Sequence, residues 1–532
     1  MRKTAITVLL TLAATAIGYA QTAYDALLFS ENNYEGTARS VAMGNAFTAL
    51  GGDLGSITIN PAGSAVANYS QFTITPGLTI AASTAQGVSP FADGTLPYFE
   101  RNMRSSMTRF SLPNMGLTIN WDTNRNSGLK NMTFGFIVNK SAGWDQDVYA
   151  NGINTTTSFM GAMAVDATGI PAADLYGSNA YNYYPWSTVV GYRSGMISTF
   201  GGMDDEYVGA SELVFDNGDI VLGGDLDQTY GRRVTGGKYD YVFNIGANIS
   251  DFLYLGANLG ISSLDYVYED YFKEAAVDPT DFEIALDNGK NIYFNQMKYK
   301  YYYDAQGTGY FAKFGAIITP GMGLRIGAAV KTPTVNTILE RWQYSASTEF
   351  SPSSADGYEA SPEGEYSYTV VSPLTANFGL AYTLGNLAVL SADYELCDYS
   401  QMKFKTSGSD RDYFENINED IKEVFGVSNT WRFGAEVKLG TVALRGGYGF
   451  STSPEKHFTG AYRSNFSFGL GYSSKGSFFA DLAAKRDTYN AEYYMPYNDY
   501  IFDDEGNIAD PVPELCITSS NWKVLLTLGW RF

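Results

Sequence analysis

The chain ends in "NWKVLLTLGWRF", and no other stretch limits its fold so strongly. Trp522, Val524, Leu526, Leu528, Trp530 and Phe532 share one face; Asn521, Lys523, Leu525, Thr527, Gly529 and Arg531 share the other. A period of two puts successive side chains on opposite faces of a strand. About ten tilted residues of this kind cross the apolar core of a membrane, one face toward lipid and the other toward a lumen. Taken alone, the pattern also suits a half-buried strand of a sandwich.

Repetition along the chain decides between them. "YVFNIGANIS" sets Tyr241, Phe243, Ile245, Ala247 and Ile249 opposite Asn244, Gly246 and Asn248, and "FLYLGANLGIS" repeats the pattern after a tight turn at Ser250-Asp251. Further hairpins turn at Pro320-Gly321, near Leu439-Gly440, and at Ser473 to Gly476. Gly and polar pairs between alternating runs are hairpin signals. All runs together predict about fourteen strands, an even number as a bacterial single-chain barrel requires. They start near Gln71, Met107, Asn131, Tyr239, Phe252, Thr308, Leu324, Tyr366, Leu387, Thr430, Val442, Asn465, Ser477 and Asn521. Long connections fall around 84–106, 141–237, 272–305, 335–365, 405–428, 454–463 and 487–519, with short turns between them. The expected fold is all-β, an antiparallel transmembrane barrel over 71–532 with outer loops, 141–237 the longest. Both chain ends are expected at the short-turn, periplasmic side.

Composition agrees. The chain holds 41 Tyr, 32 Phe and 56 Gly but one His. Aromatic girdles and Gly-rich strands suit a barrel. The first residues, "MRKTAITVLLTLAATAIGYA", have a basic start at Arg2 and Lys3, a short apolar run and small residues before Gln21, which predicts a cleaved signal peptide over 1–20. Its loss takes the formal charge from −21 to about −23. That acidic balance argues against a nucleic-acid partner. Beyond the signal no run is long enough for a transmembrane helix. Cys397, near the outer end of a strand, and Cys516, in a loop, leave both a disulfide and two free thiols open.

Residues 21–70 precede the barrel. "TARSVAMGNAFTALGG" predicts a helix capped by Thr37 and stopped by Gly51-Gly52. In "SITINPAGSAV", Asn60 can cap and Pro61 can take the first helical position, where its missing N–H costs nothing. This compact, nearly uncharged element is suited to packing inside the lumen as a hatch.

"SVAMGNAFTALGGDLGSITINPAG" resembles the N-terminal hatch of the FadL/TodX family, outer-membrane transporters of hydrophobic compounds. The likeness lies in Ala42-Met43-Gly44, Asp53 and Asn60-Pro61-Ala62, and extends through "GYFAKFGAIITPGMGLRIGAAVKTP", "LSADYELCDYSQMKF" and "RFGAEVKLGTVALRGGYGF", covering about Thr37 to Phe532. The segment 141–237 exceeds the family pattern. The resemblance implies a fourteen-stranded barrel, capture of a long-chain fatty acid or similar lipid by outer loops, a lumen pocket, gating by the hatch (Met43, Gly44, Asp53, Asn60, Pro61, Ala62) and lateral exit at a kink in the third strand. Gly135 in "NMTFGFIVNK" is the kink candidate. The resemblance also implies a monomer in contact with outer-membrane lipid. Phe532 resembles the final aromatic residue read by the outer-membrane assembly machinery.

Several residues could bind ligand. Phe159, Met160, Met163, Met196, Ile197 and Phe200 form flexible apolar clusters in the long segment, suited to capture or to a core of the loop itself. Lumen charges on alternation include Lys313, Arg325, Lys331, Asp393, Glu395, Arg432, Glu436 and Arg445. Arg445 is expected diagonal to Glu436 in a structural network. Lys313, Arg325 and Lys331 have no matching acids on their strands and are candidates for reading a headgroup. His457 alone suits neither a metal site nor a Ser-His hydrolase, and no enzyme activity, metal or cofactor is expected. The acidic loops "DNGDIVLGGDLD" and "FDDEGNIAD" lack calcium-loop spacing. Alternatives are a haem-type receptor, disfavoured by the single His, and an enzyme acting on lipids. A structural or adhesive barrel is a third, and it would need no hatch.

Overall fold

The computed structural model describes residues 21–532 except 90–97, 216–217, 287–288, 406–409, 459, 475 and 504. The expected export signal, residues 1–20, lies outside them, as does Lys475 in the turn expected at Ser473–Gly476. The chain opens with two helices, α1 (Ala23–Ser30) and α2 (Ala38–Ala42), and two 3₁₀ turns, Gly55–Thr58 and Pro61–Val66.

Fourteen strands then close into a barrel. They are β1 (Gln71–Val88), β2 (Met103–Asp122), β3 (Leu129–Gly143, continued by Gln146–Asn154), β4 (Leu226–Ile249), β5 (Leu253–Ala276), β6 (Asn291–Gly321) and β7 (Leu324–Lys331 and Val335–Ser351). The second half comprises β8 (Gly364–Val371 and Thr375–Leu384), β9 (Ala388–Asp398), β10 (Val427–Leu439), β11 (Val442–Thr452), β12 (Ala461–Ser473), β13 (Phe478–Tyr489) and β14 (Glu514–Arg531). Each pairs antiparallel with its neighbour, and β1 closes on β14 from Gln71↔Arg531 upward. Closure leaves no free edge, which is how a barrel satisfies its backbone in an apolar medium.

Turn chemistry sets the register at the short-turn end. Ser250 and Asp251 both have positive φ, 60° and 55°, the primed geometry that a two-residue hairpin needs. Outward residues form the apolar face: Phe243 is 56% exposed, Leu259 69% and Phe314 57%. Their neighbours Asn244, Asn258 and Lys313 point inward and are buried. On β14, Val524, Leu526, Trp530 and Phe532 face out, while Lys523, Leu525 and Thr527 face in.

The strands run further out than alternation predicts. β5 has 24 residues and β6 has 31, so most of 272–305 is wall and not loop. Much of 335–365 is likewise the outer half of β7. Above the apolar belt the outer face no longer meets lipid, so the hydrophobic contrast fades while the hydrogen-bonded ladder continues. The segment 155–225 folds into a lobe containing α3 (Phe159–Ala167), α4 (Ala172–Tyr176), α5 (Ala180–Tyr183) and α6 (Trp186–Arg193). Residues 411–424, expected as loop, form α7 (Arg411–Val424), which buries Phe414, Ile417 and Ile421.

The expected helix after Thr37 is shorter than its sequence suggests. Thr37 caps it, but it ends at Ala42, and Gly44 takes φ +63°. The start of the hatch is also displaced from expectation. Gln21 lies inside the lumen, where its carbonyl accepts from the Tyr413 hydroxyl at 2.9 Å, and only Phe532 sits at the short-turn end. Burial of Ala26, Leu27 and Phe29 against β5, β8 and α7 holds α1 there.

Candidate functional site

The hatch touches the wall through glycines. A methyl group on Gly256 would lie 2.3 Å from the Pro61 carbonyl carbon, and one on Gly315 would lie 1.9 Å from Asn60 Oδ1. Gly246, Gly327, Gly434, Gly447 and Gly469 meet other hatch atoms as closely. Gly246, Gly256 and Gly315 stand in one row across three strands. The high glycine content therefore lets hatch backbone lie against wall backbone.

Polar bonds complete the seat. The Asn60 amide donates to Thr48 O at 2.6 Å and to Ala316 O at 3.2 Å, while its Oδ1 accepts from Ala62 N at 3.1 Å. Asp53 accepts from Thr37 Oγ1 at 2.7 Å and Gly55 N at 2.9 Å. Met43 is fully buried. Wall acids reach in as well: Asp393 accepts from the Thr48 amide at 2.7 Å, and Glu436 accepts from Arg39 at 2.9 Å. Arg432 pairs with Glu395 at 2.9 Å. Glu436 lies directly opposite Arg445 in the ladder, not diagonal to it, and pairs with it at 2.6 Å.

The three headgroup candidates are occupied elsewhere. Lys313 Nζ donates to Thr58 O at 3.0 Å, Arg325 donates to Leu50 O at 2.6 Å, and Lys331 lies 4.2 Å from the Phe311 ring centre. None of the three lines the large cavity described below. Alternation placed them on the lumen face, but not at a height, and they lie at the level of the hatch.

β2 and β3 part company partway up the wall. Their ladder runs from Asp122↔Asn131 to Asn114↔Asn139 and stops. The next residue on β2, Pro113, has no N–H to donate. On β3 the register with β4 slips between Lys140 and Ala142, leaving Ser141 as a bulge. Above the break the strands meet again where Ser105 Oγ donates to Asp147 O at 2.5 Å, with Arg109 and Asp145 3.6 Å apart between. The β3 carbonyls of Lys140 and Ser141 accept instead from hatch amides Glu35 N (3.0 Å) and Asn33 N (2.7 Å). Gly135 lies below the break, with unbroken pairing to Thr118 and Asn244, so the irregularity expected there falls at Pro113 and Ser141.

Glu35 is buried beside this break. It lies 2.7 Å from Lys523 and 3.8 Å from Lys140. Burial alone would raise its carboxyl, but the two lysines hold it below the usual range.

A cavity of about 1580 Å³ fills the lumen above the hatch. It extends from Phe159 and Met163 in the lobe to Ala142–Gln146 at the β2–β3 break. Tyr230, Tyr268, Tyr301 and Tyr303 are among its walls, and His457 also faces it. Of the outer-loop capture candidates, Met160, Met196 and Ile197 are fully buried in the core of the lobe and present nothing to a ligand from outside. Phe159 and Met163 face the cavity, and Phe200 is half-buried. Cys397 and Cys516 are both unpaired, and Cys516 lies on β14 and not in a loop.

Among solved structures, the fold matches a Pseudomonas aeruginosa FadL homologue at TM-score 0.50 and 12% identity, over 94% of this chain and 98% of that one. The Pseudomonas putida toluene transporter TodX gives 0.49 at 13% identity over 94% and 99%. The Ralstonia pickettii toluene transporter TbuX gives 0.46 at 12% over 95% and 100%. The first match establishes a shared barrel fold; the others add nothing to that. No family model and no curated protein matches the chain.

Proposed function

We propose that this chain is an outer-membrane channel of the FadL/TodX kind that takes up hydrophobic molecules. It is exported by its signal peptide, inserted by the outer-membrane assembly machinery, and works as a monomer in contact with outer-membrane lipid. The resemblance at Met43-Gly44, Asp53 and Asn60-Pro61-Ala62 supports the family, and the apolar outer face supports the membrane. One observation carries the route: a single cavity connects the lobe to the place where β2 and β3 separate. A ligand entering past Phe159 and Met163 would descend among the tyrosines. It would leave sideways between Pro113 and Ser141, avoiding the polar hatch seat below. The hatch segment 33–35 covers that opening from inside and gates it. Long-chain fatty acids and similar lipids are the class the resemblance implies.

Cross-linking the opening tests the route. In a C397S/C516S background, Arg109→Cys and Asp145→Cys can be joined by a short bismaleimide. Uptake of a labelled hydrophobic probe by cells is expected to fall at least ten-fold on cross-linking, with either single cysteine unaffected. Unchanged uptake by the cross-linked protein overturns lateral exit.

A further inference from the structure

The lining of the cavity has one charge sign in excess. Among its described residues are nine carboxylates against two guanidinium groups, Arg232 and Arg463, and no lysine. Arg232 is engaged by Glu492 through bonds of 2.5 and 2.7 Å. Asp270, Glu340 and Asp25 make no ion pair among the described residues. Their oxygens are held by neutral donors: the Tyr268 hydroxyl on Asp270 (2.8 Å), the Tyr303 hydroxyl on Glu340 (2.9 Å) and the Thr22 amide on Asp25 (2.7 Å).

The rings are arranged around these acids. Asp270 stands directly opposite Tyr301 across the β5–β6 ladder. Tyr301 lies 6.1 Å from Tyr268 and 4.7 Å from Tyr344. Aromatic faces are electronegative and attract cations. Among the buried polar atoms of the lining, the acceptor Gln21 Oε1, on a side chain 4% exposed and bonded through its amide to Glu340, lacks a donor. A carbonyl oxygen without a donor, beside a carboxylate without a cation, calls for an N–H group.

We infer that the cavity takes amphiphiles whose polar end is an amine, and that it excludes carboxylates. This rests on the uptake reading and narrows its substrate class away from fatty acids. A carboxylate entering here would lose hydration and meet like charge. An ammonium would meet carboxylates, a free carbonyl oxygen and ring faces, while its hydrocarbon part contacts Phe159 and Phe272. If the signal is cut before Gln21, the freed α-ammonium adds one positive charge against the nine carboxylates of the lining.

The test uses full-length mature protein in nanodiscs and three probes of one skeleton: 3-phenylpropylamine, 3-phenylpropanol and 3-phenylpropanoate. Binding is read by calorimetry at pH 7.5. The amine is expected to bind at least ten-fold tighter than the carboxylate, with the alcohol between. Asp270→Asn with Glu340→Gln is expected to weaken amine binding at least five-fold more than it weakens alcohol binding. Carboxylate binding as tight as amine binding overturns the inference, as does equal weakening of amine and alcohol in the double variant. If that variant fails to fold, the wild-type series alone decides. Binding of none of the three overturns the uptake reading itself, whereas equal binding of all three overturns only the amine preference.

Discussion

The backbone of Pro61 lies so close to Gly256 that a single added methyl group would sit 2.3 Å from its carbonyl carbon. Hatch and wall are in contact backbone to backbone here, and at Gly315 the Asn60 side chain takes up the space that a methyl group would need. Gly256→Ala and Gly315→Ala are each expected to destabilise the hatch seat by about 1–3 kcal/mol through overpacking. The barrel ladder should survive. Limited proteolysis should cut residues 21–70 faster while the heat-modifiable band of the folded barrel persists. An uncut hatch in both variants counts against the close contact.

Asn60 donates to Thr48 O and Ala316 O, bonds that no apolar residue can replace. Asn60→Ala leaves buried carbonyls without donors and should cost about 1–3 kcal/mol. Combined with Pro61→Ala, it should impair uptake of a hydrophobic probe without lowering the amount of folded barrel. Normal uptake by the double variant would argue against gating by the hatch.

Glu35 ties the hatch to Lys523 and Lys140 at the β2–β3 break. Its folded-state carboxyl lies below the usual range, so its stabilisation is fully present above the unfolded-state value, about 4.3. That stabilisation is lost as pH falls through the depressed folded-state value. Hydrogen exchange at the amides of Asn33 and Glu35 should therefore be slow at neutral pH, after correction for intrinsic rates, and faster in acid. In Glu35→Gln it should be fast at both. Exchange in the variant as slow as in the parent protein would remove the latch.

Glu212 in the outer lobe behaves oppositely. Burial pushes its carboxyl up to about 7, against the Gly209 N–H that bonds it and with the Glu274 carboxylate adding to the rise. A folded-state value above the unfolded one means that the lobe binds the proton more tightly than the unfolded chain does. The lobe should gain stability as pH falls from about 8 toward 4.5, by about 1–3 kcal/mol. Glu212→Gln should be more stable than the parent at pH 8 and should flatten this dependence, read as protease resistance of 155–225.

Phe532 closes the barrel as well as ending it. Its N–H donates to Ser70 O at 3.0 Å, and its carbonyl accepts from Ser70 N at 3.1 Å. Deleting it removes this pair and the terminal ring together. The amount reaching the outer membrane should fall several-fold in a quantitative blot, and unchanged levels would count against an assembly role.

Strand existence was legible because lipid and lumen impose opposite demands on alternate residues. Phe243, Ile245 and Leu259 had to face out, and Asn244 and Asn258 had to face in. Strand ends were not legible where that contrast disappears: "DYVYEDYF" on β5 and "YKYYYD" on β6 lie above the belt, where tyrosine suits either face. The helix α7 carried a usable signal in the spacing of Phe414, Ile417 and Ile421, which fall on one helical face. The break in the wall carried a weaker one, Pro113 within an otherwise good strand. Gly135 carries the commoner mark of a bend, a glycine in the strand where the resemblance implies a kink, but its pairing is regular on both sides.

The sequence by itself determined the barrel, its fourteen strands and its capped small-residue hatch, because periodicity and turn chemistry are local properties. Only the tertiary structure decided what the inward residues face. Inward direction is set by the pleat, but height and neighbours are set by barrel closure and by the course of the hatch through the lumen. Thus Lys313 and Arg325, inward and unpaired on their own strands, meet hatch carbonyls 255 and 275 positions away in sequence. Asp270 and Glu340 converge with the tyrosines of β5 and β6 on one cavity because the ladders of β5, β6 and β7 continue side by side above the hatch.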